Sequence, residues 1–362
     1  MTFLKKIFSK NDAPILSNED FWNWFIKNEK NFFNTVKKQS KIEENFFDKL
    51  SPKLNELKEG FLFLTGMLDE NTAELILTAD GAIKNFIFVE QLVQDAPQIE
   101  GWKFTALKPP VKNDDFGIEI SGYKINTENM HFYSNDDPNQ PDEIDITIVY
   151  EDLNDENRAT ILNGVFIFLD NYLGELNFAT LIDNVTVIGR DNVEKELIPV
   201  NKLKPFLIWR EKEFVERYEN ATIHTEEHKH AIFEGESQNG KPLLAVINTE
   251  LLAWNNKASH PWMFKFELFY DGSKNNGLPD NSMFELLNTI EDEMMSVLKD
   301  INGHLKIGRE TAEGVRTVYY ACNEFRACSK IAQQILDKHR RKLNMNYEIY
   351  KDKYWQSLAY YL

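Results

Sequence analysis

The chain contains very little cysteine. Its 362 residues include two, Cys322 and Cys328, which excludes a disulfide framework and is typical of a reducing cytoplasm. Their spacing matches neither a CxxC redox motif nor a zinc knuckle, so we interpret them as packed thiols. The sequence therefore predicts a cytoplasmic location and no cofactor.

Long apolar runs are also lacking. No run approaches the roughly 20 apolar residues that span a bilayer. The first residues contain two lysines but neither an apolar h-region nor a small-residue cleavage site. We therefore expect neither a membrane span nor a secretory signal.

Positive charge is in deficit. Lys and Arg number 41 against 58 Asp and Glu, which gives a formal net charge of −17. Because phosphate binding requires a cationic surface, nucleic acid is excluded as an expected partner. An acidic surface suits docking onto another protein, which is the partner that we expect. The charge says nothing about the oligomeric state.

Glycine is scarce and scattered, with 16 residues in the chain. The sequence contains no Walker A loop, GxGxxG or GxSxG motif. It therefore offers no phosphate cradle and no recognisable nucleophile.

What the chain does contain is typical of a globular protein, with 42% hydrophobic and 13% aromatic residues. Its length suggests about two domains of roughly 150 residues. Composition and periodicity predict four segments: a flexible tail (1–14), an N-terminal helical extension (15–58), a first α+β domain (59–221) and a second α+β domain (222–362).

Alternating and helical patterns follow one another in both predicted domains. The run WMFKFELFY at 262–270 alternates as a strand does, and the helix after it has Asp280 or Ser282 as a candidate N-cap. Asn239-Gly240 and Glu313-Gly314 mark tight hairpin turns. The fold class that follows is α+β, with a ferredoxin-like or split-βαβ sandwich in each half.

One pattern occurs twice. Each occurrence has the word INTE, an alternating run that ends in tyrosine, and an IGR word after a helical stretch. The landmarks are 125–128, Tyr150 and Gly189 in the first half, and 247–250, Tyr270 and Gly308 in the second. Because all three recur in order, we interpret the halves as a diverged tandem duplication.

The second half also carries an ordered set of short motifs. They are Gly277-Leu278-Pro279, Ile290-Glu291-Asp292, the run IGRxTxxGxRxxYY from Ile307 to Tyr320, and Asp352-x-x-Trp355. Together they resemble the signature of the bacterial domain-of-unknown-function 695 family over about 226–362. The resemblance implies no activity, since the family has none assigned.

The candidate binding residues are Arg309, Thr311 and Arg316. The first half retains only Arg190 of this set. A duplicated domain needs its core in both copies but its site in one, so we expect these three residues to line a partner- or anion-binding surface. The alternative is that the arginines pair with acids of the same sheet.

A metal site is the other candidate considered. His224, Glu227 and His228 satisfy the HxxEH zinc-peptidase pattern. That chemistry requires one helix presenting both histidines, whereas the segment falls in the predicted interdomain junction. We therefore expect a solvated linker and no metal.

Two classes of function follow. The first is a cytoplasmic bacterial protein-binding or regulatory module, inhibitor- or immunity-like, that docks through an acidic or aromatic surface. The alternative is an enzyme whose site lies in the second domain or in the interdomain cleft. A cleft lined by Arg309 and Arg316 would favour the enzyme, and an exposed apolar or acidic patch would favour the module.

Overall fold

A computed structural model describes residues 13–113, 115–193, 195–219 and 221–362. The chain divides into two compact units, Met1–Pro109 and Pro110–Leu362. Of the predicted flexible tail, only Ala13 and Pro14 belong to the described residues. None of the described helices is long and apolar enough to cross a membrane.

The helices have the following bounds: α1 (Asn18–Lys38), α2 (Asp48–Leu57), α3 (Ile83–Gln94), α4 (Arg158–Leu173), α5 (Glu175–Leu181), α6 (Leu203–Tyr218), α7 (Thr249–Leu252), α8 (Asn281–Val297) and α9 (Phe325–His339). The strands are β1 (Leu62–Met67), β2 (Ala73–Thr78), β3 (Trp102–Ala106), β4 (Gly117–Ile120), β5 (Tyr123–Asn126), β6 (Met130–Ser134), β7 (Asp145–Tyr150), β8 (Asn184–Gly189), β9 (Ile198–Pro199), β10 (Ala231–Glu236), β11 (Pro242–Ile247), β12 (Trp262–Phe269), β13 (His304–Ala312), β14 (Val315–Cys322) and β15 (Asn344–Lys351). This mixture confirms the α+β class.

The first unit packs its helices on a sheet of order β1-β2-β3. β1 and β2 are antiparallel, and α3 crosses over to β3, which is parallel to β2. The rings of Phe25, Phe32 and Phe46 from the helical extension pack against one another. Phe25 meets Trp102 of β3 edge-on, and Phe46 stacks on it. The predicted helical extension and the start of the predicted first domain thus share one core.

The second unit contains two larger sheets, one on each side of the predicted boundary at residue 221. The first has the order β8-β7-β6-β9. In it, β7 and β8 are parallel neighbours joined through α4 and α5. The prediction of a ferredoxin-like or split-βαβ sandwich is therefore wrong for this half, since a split βαβ unit has another strand between its parallel pair.

The second sheet has the order β10-β11-β13-β14-β12-β15. Its strands β12, β13, β14 and β15, with helices α8 and α9, form a split-βαβ unit in which β14 lies between the parallel strands β12 and β13. This confirms the prediction for the second half. The β10–β11 hairpin extends the sheet beyond β13.

The two halves consequently differ in strand order. In the first, Tyr150 lies opposite Gly189 on a parallel neighbour. In the second, Gly308 lies opposite Ile247 and Tyr319, while Tyr270 bonds Gly314. The structure does not confirm the predicted duplication.

Candidate functional site

A buried carboxylate forms ion pairs with three cationic side chains of the second sheet. Glu291 extends from α8, where Asp280 caps the first turn by accepting from the Met283 N–H at 2.8 Å. It forms ion pairs with Lys306, with Arg309 at 2.8 Å and with Arg316 at 3.5 Å. The sequence-predicted arginines are thus brought together, by an acid of the adjacent helix.

The charges of this cluster alter the ionisation of its members. Burial opposes ionisation of Glu291, but Lys306 and Arg309 outweigh it and lower the pKa of this carboxyl. The ionised form therefore stabilises the fold above the ordinary glutamate range, and this contribution is lost as the pH falls through the lowered pKa. Burial, and then the like charge of Arg309, lowers the pKa of Arg316.

Arg316 does not lie at the surface, and the expectation that it would is wrong. Arg316 is 1% exposed. The guanidinium donates to Asn288 Oδ1 at 2.8 Å and to Thr311 Oγ1 at 3.3 Å, and it lies over the Phe284 ring. The third predicted residue, Thr311, therefore serves as an acceptor for Arg316.

Residues of the remaining signature motifs also form hydrogen bonds in the second half. The Gly314 N–H donates to Gly277 O at 2.8 Å, which joins the β13–β14 turn to the loop before α8. The Tyr319 hydroxyl donates to Glu310 at 2.9 Å. Trp355 is buried, and its Nε1 donates to the carbonyl of His260. These residues hold the second half together.

Beside the Glu291 cluster, the sheet carries apolar side chains that solvent reaches. Arg309 lies opposite Val246, and Val246 lies opposite Ile232 on the edge strand β10. Cross-strand partners project from the same face, so the three form one row. Leu244, two residues before Val246 and opposite Thr311, lies on the same face in the next row. Ile232 is 72% exposed.

We define the hairpin face as Ile232, Leu244, Val246, Lys306 and Arg309. The cation side chains are about a quarter exposed, 21% for Lys306 and 27% for Arg309. Sequence reasoning found only Arg309 of these residues. The hairpin signal at Asn239-Gly240 predicts that β10 pairs with β11, but a two-residue turn there would place Ile232 opposite Ile247, whereas the structure pairs it with Val246. The other neighbour of β11 could not be read from this signal.

The HxxEH segment is not helical. Residues 221–230 form a loop with a turn at Glu226 and Glu227. The Thr225 N–H and hydroxyl both donate to Asp300 Oδ2 at 2.7 Å, and His228 Nδ1 lies 3.2 Å from Asn248 Nδ2. The segment is thus attached to the second half, and no helix here presents both histidines.

A cleft of about 350 Å³ opens between the parts of the second unit on either side of residue 221. Lys351 lies at its wall, 2.9 Å from Asp183, and burial lowers its pKa to about 8 in spite of this carboxylate. Arg309 and Arg316 do not line this cleft. The sequence prediction for an enzyme site named those arginines, and the structure places them elsewhere.

The charged groups of the cleft are largely paired with one another. Lys353 bonds Asp183 at 2.8 Å. Asp142 accepts from Arg217, from the Tyr218 hydroxyl at 2.7 Å and from the Tyr354 hydroxyl at 2.8 Å. Of these, the bonds of Lys353 to Asp183 and of Tyr354 to Asp142 join residues after position 221 to residues before it.

Comparison with known proteins bears on the second half of the chain. The model of the family of unknown function DUF695 matches residues 235–362. This confirms the resemblance over the C-terminal part. No curated protein and no solved structure matches the chain.

Proposed function

We propose that the protein is a cytoplasmic bacterial protein-binding or regulatory module, inhibitor- or immunity-like, and that the hairpin face is its docking surface. The observation that carries the proposal is the combination of exposed Ile232 and Leu244 with the partly exposed cations Lys306 and Arg309. Exposed apolar patches rimmed by polar groups are typical of protein interaction sites.

The charge of the hairpin face indicates the chemistry of the partner. Three cations surround the single carboxylate of Glu291, so the cluster has excess positive charge in a chain of net charge −17. Glu234, opposite Leu244, adds one carboxylate at the rim. A complementary partner presents apolar side chains flanked by Asp or Glu. The surface is therefore basic and apolar rather than acidic or aromatic.

The position of the hairpin face at the edge of its sheet supports the same proposal. β10 is an edge strand of its sheet, and an edge strand offers backbone donors and acceptors to an added segment. A partner strand beside β10 would place its alternate side chains next to Ile232.

The cleft supports the enzyme alternative less well. Lys351 and Lys353 both pair with Asp183 there, and Asp142 accepts from three side chains. Groups committed in this way stabilise the junction of the two sheets.

The test is affinity purification from the native bacterium with the wild-type chain, Ile232→Glu and Arg309→Glu as parallel baits, analysed by quantitative mass spectrometry. We expect an acidic partner that both variants recover at least tenfold less, since Arg309→Glu places a carboxylate against the partner's own and Ile232→Glu places a charge against its apolar side chains. The control is Ile301→Glu, because Ile301 is 82% exposed and lies outside the hairpin face; it should recover the partner as the wild type does.

The proposal fails if both hairpin-face variants retain every protein that the wild type recovers. Circular dichroism of the three variants shows whether they fold alike, which separates a lost surface from a lost fold.

A further inference from the structure

The two cysteines of the chain meet in the interior of the second half. Cys322 ends β14, and Cys328 lies in the N-terminal part of α9. Glu324 lies between them at the N-cap of α9, and its carboxylate accepts from the N–H groups of Arg326 and Ala327. The chain turns at this cap. The turn places the two sulfurs 2.9 Å apart, with both thiols buried and free.

A histidine from a third element faces this pair. His304 begins β13 and lies opposite Cys322 in the sheet. Its Nδ1 is 3.6 Å from the Cys328 sulfur. One donor atom from each residue lies within 4.8 Å of the other two, and all three residues are buried. Within the part of the chain that the structure describes, this is the one such group of three metal-binding side chains.

We propose that His304, Cys322 and Cys328 bind a single zinc ion. Thiolate and imidazole are the ligands that zinc prefers, and two Cys with one His is a known protein donor set for it. Zn–S bonds of about 2.3 Å in a tetrahedral arrangement separate the sulfurs by about 3.7 Å. The cysteine side chains therefore need to move apart by less than about 1 Å.

The balance of charge favours a divalent ion such as zinc over monovalent copper. Two thiolates and a neutral imidazole neutralise a divalent ion, whereas they leave a net negative charge around a monovalent copper ion. Because burying a net charge is costly, the interior position of the group favours Zn²⁺. The histidine also distinguishes a metal site from a simple disulfide, which requires only the two cysteines.

The surroundings show where the ion would enter and what it would hold. Residues 323–326, which connect the two cysteines, line the cleft of the second unit. The ion would lie behind this wall and would tie β13, β14 and α9 together. The sequence did not indicate the site because His304 lies on a separate strand.

The experiment uses the untagged full chain, reduced, stripped with a chelator and dialysed separately against Zn²⁺ and Cu⁺. We expect elemental analysis to find one zinc per chain. Replacement by Co²⁺ should produce thiolate-to-cobalt charge-transfer absorption, which reports the sulfur ligands directly in the wild type. Cys322→Ser, Cys328→Ser and His304→Asn should each weaken zinc binding at least tenfold.

His224→Ala is the matched control, because it removes an exposed histidine of the HxxEH segment; its zinc content should equal that of the wild type. Several outcomes would overturn the proposal: no zinc retained by the reduced wild type, cobalt bound without charge-transfer absorption, uptake of Cu⁺ alone, or zinc lost with His224. Because the cobalt spectrum is measured on the wild type, failure of a cysteine variant to fold leaves the decision intact.

Discussion

At the scale of single residues, the second half is organised by a few buried polar side chains. Glu291 is 2% exposed and Arg316 1%, so neither is free to leave its partners for solvent. A buried ion pair is costly to form but far more costly to break on one side, since the remaining charge stays desolvated. The Glu291 cluster therefore constrains the position of α8 against β13 and β14, and leaves Lys306 and Arg309 partly exposed.

Replacing Arg316 tests this constraint. Arg316→Ala removes the bonds to Asn288 and Thr311 and one cation of the cluster. The free energy of unfolding should fall by about 3 kcal/mol, measured by urea denaturation at neutral pH. In the first half, Arg190 pairs with Glu151 through side chains that are both about half exposed, so Arg190→Ala should cost at most about 1 kcal/mol. Equal losses for the two variants would show that Arg316 does not hold the sheet.

At the scale of elements, the β13–β14 hairpin and the loop before α8 determine one another. Gly314 has φ +81°, which favours glycine. Its N–H donates to Gly277 O, and its carbonyl accepts from the Tyr270 N–H at 2.8 Å. The turn therefore fixes the end of β12 as well as the start of β14, which explains the presence of both glycines in the signature.

Gly314→Ala should destabilise the protein by more than about 1 kcal/mol, because a residue other than glycine is strained at this φ. An added Cβ would also lie 2.7 Å from Tyr270 O. For comparison, Gly235→Ala changes a glycine of β10 whose Cβ position has no described atom within 4 Å. We expect a change there within about 0.5 kcal/mol. Thermal unfolding of both variants gives the measurement, and a tolerated Gly314→Ala would contradict this account of the turn.

At the scale of the whole molecule, the contacts that matter most join the two larger sheets of the second unit. Lys351 ends the last strand of one sheet and Lys353 follows it, and their partner Asp183 precedes β8 of the other. Tyr354 adds a bond to Asp142. These contacts make the two sheets depend on one another, although each has its own hydrophobic core.

Two fragments test this dependence. Residues 110–362 keep every bond of the junction, and we expect them to unfold cooperatively. Residues 222–362 leave Lys351 and Lys353 without Asp183, so this fragment should be less stable by several kcal/mol. Urea denaturation followed by tryptophan fluorescence compares them. Equal stability would instead support the predicted domain boundary at residue 221.

The sequence predicted features that depend on local chemistry. The hairpin turns at Asn239-Gly240 and Glu313-Gly314 and the Asp280 cap follow from residue types that such positions require. The parallel pairing of β7 with β8 was missed because a strand's own pattern does not name its neighbour. The strand signal of β15 is weak in comparison, and it consists of Met345, Tyr347 and Ile349, which alternate on its buried face.

The candidate site was predicted only in part, for a related reason. Arg309, Thr311 and Arg316 do lie together, but a charged residue is ordinarily expected at the surface, so the burial of Arg316 was missed. Its partners Glu291 and Asn288 belong to a different element, and no local pattern links them to it. In the same way, no local pattern links His304 of β13 to the two cysteines.

The strand order of the second sheet has a consequence during synthesis on the ribosome. β12 lies between β14 and β15 and pairs with β15 along its whole length, from Trp262 opposite Lys351 to Phe269 opposite Asn344. β12 therefore lacks this partner strand for part of synthesis, because β15 leaves the ribosome long after β12. Until residues 344–351 have left the exit tunnel, the apolar strand β12 has one open edge, and such edges favour aggregation. Nascent chains stalled before β15 should therefore be the form most dependent on chaperones.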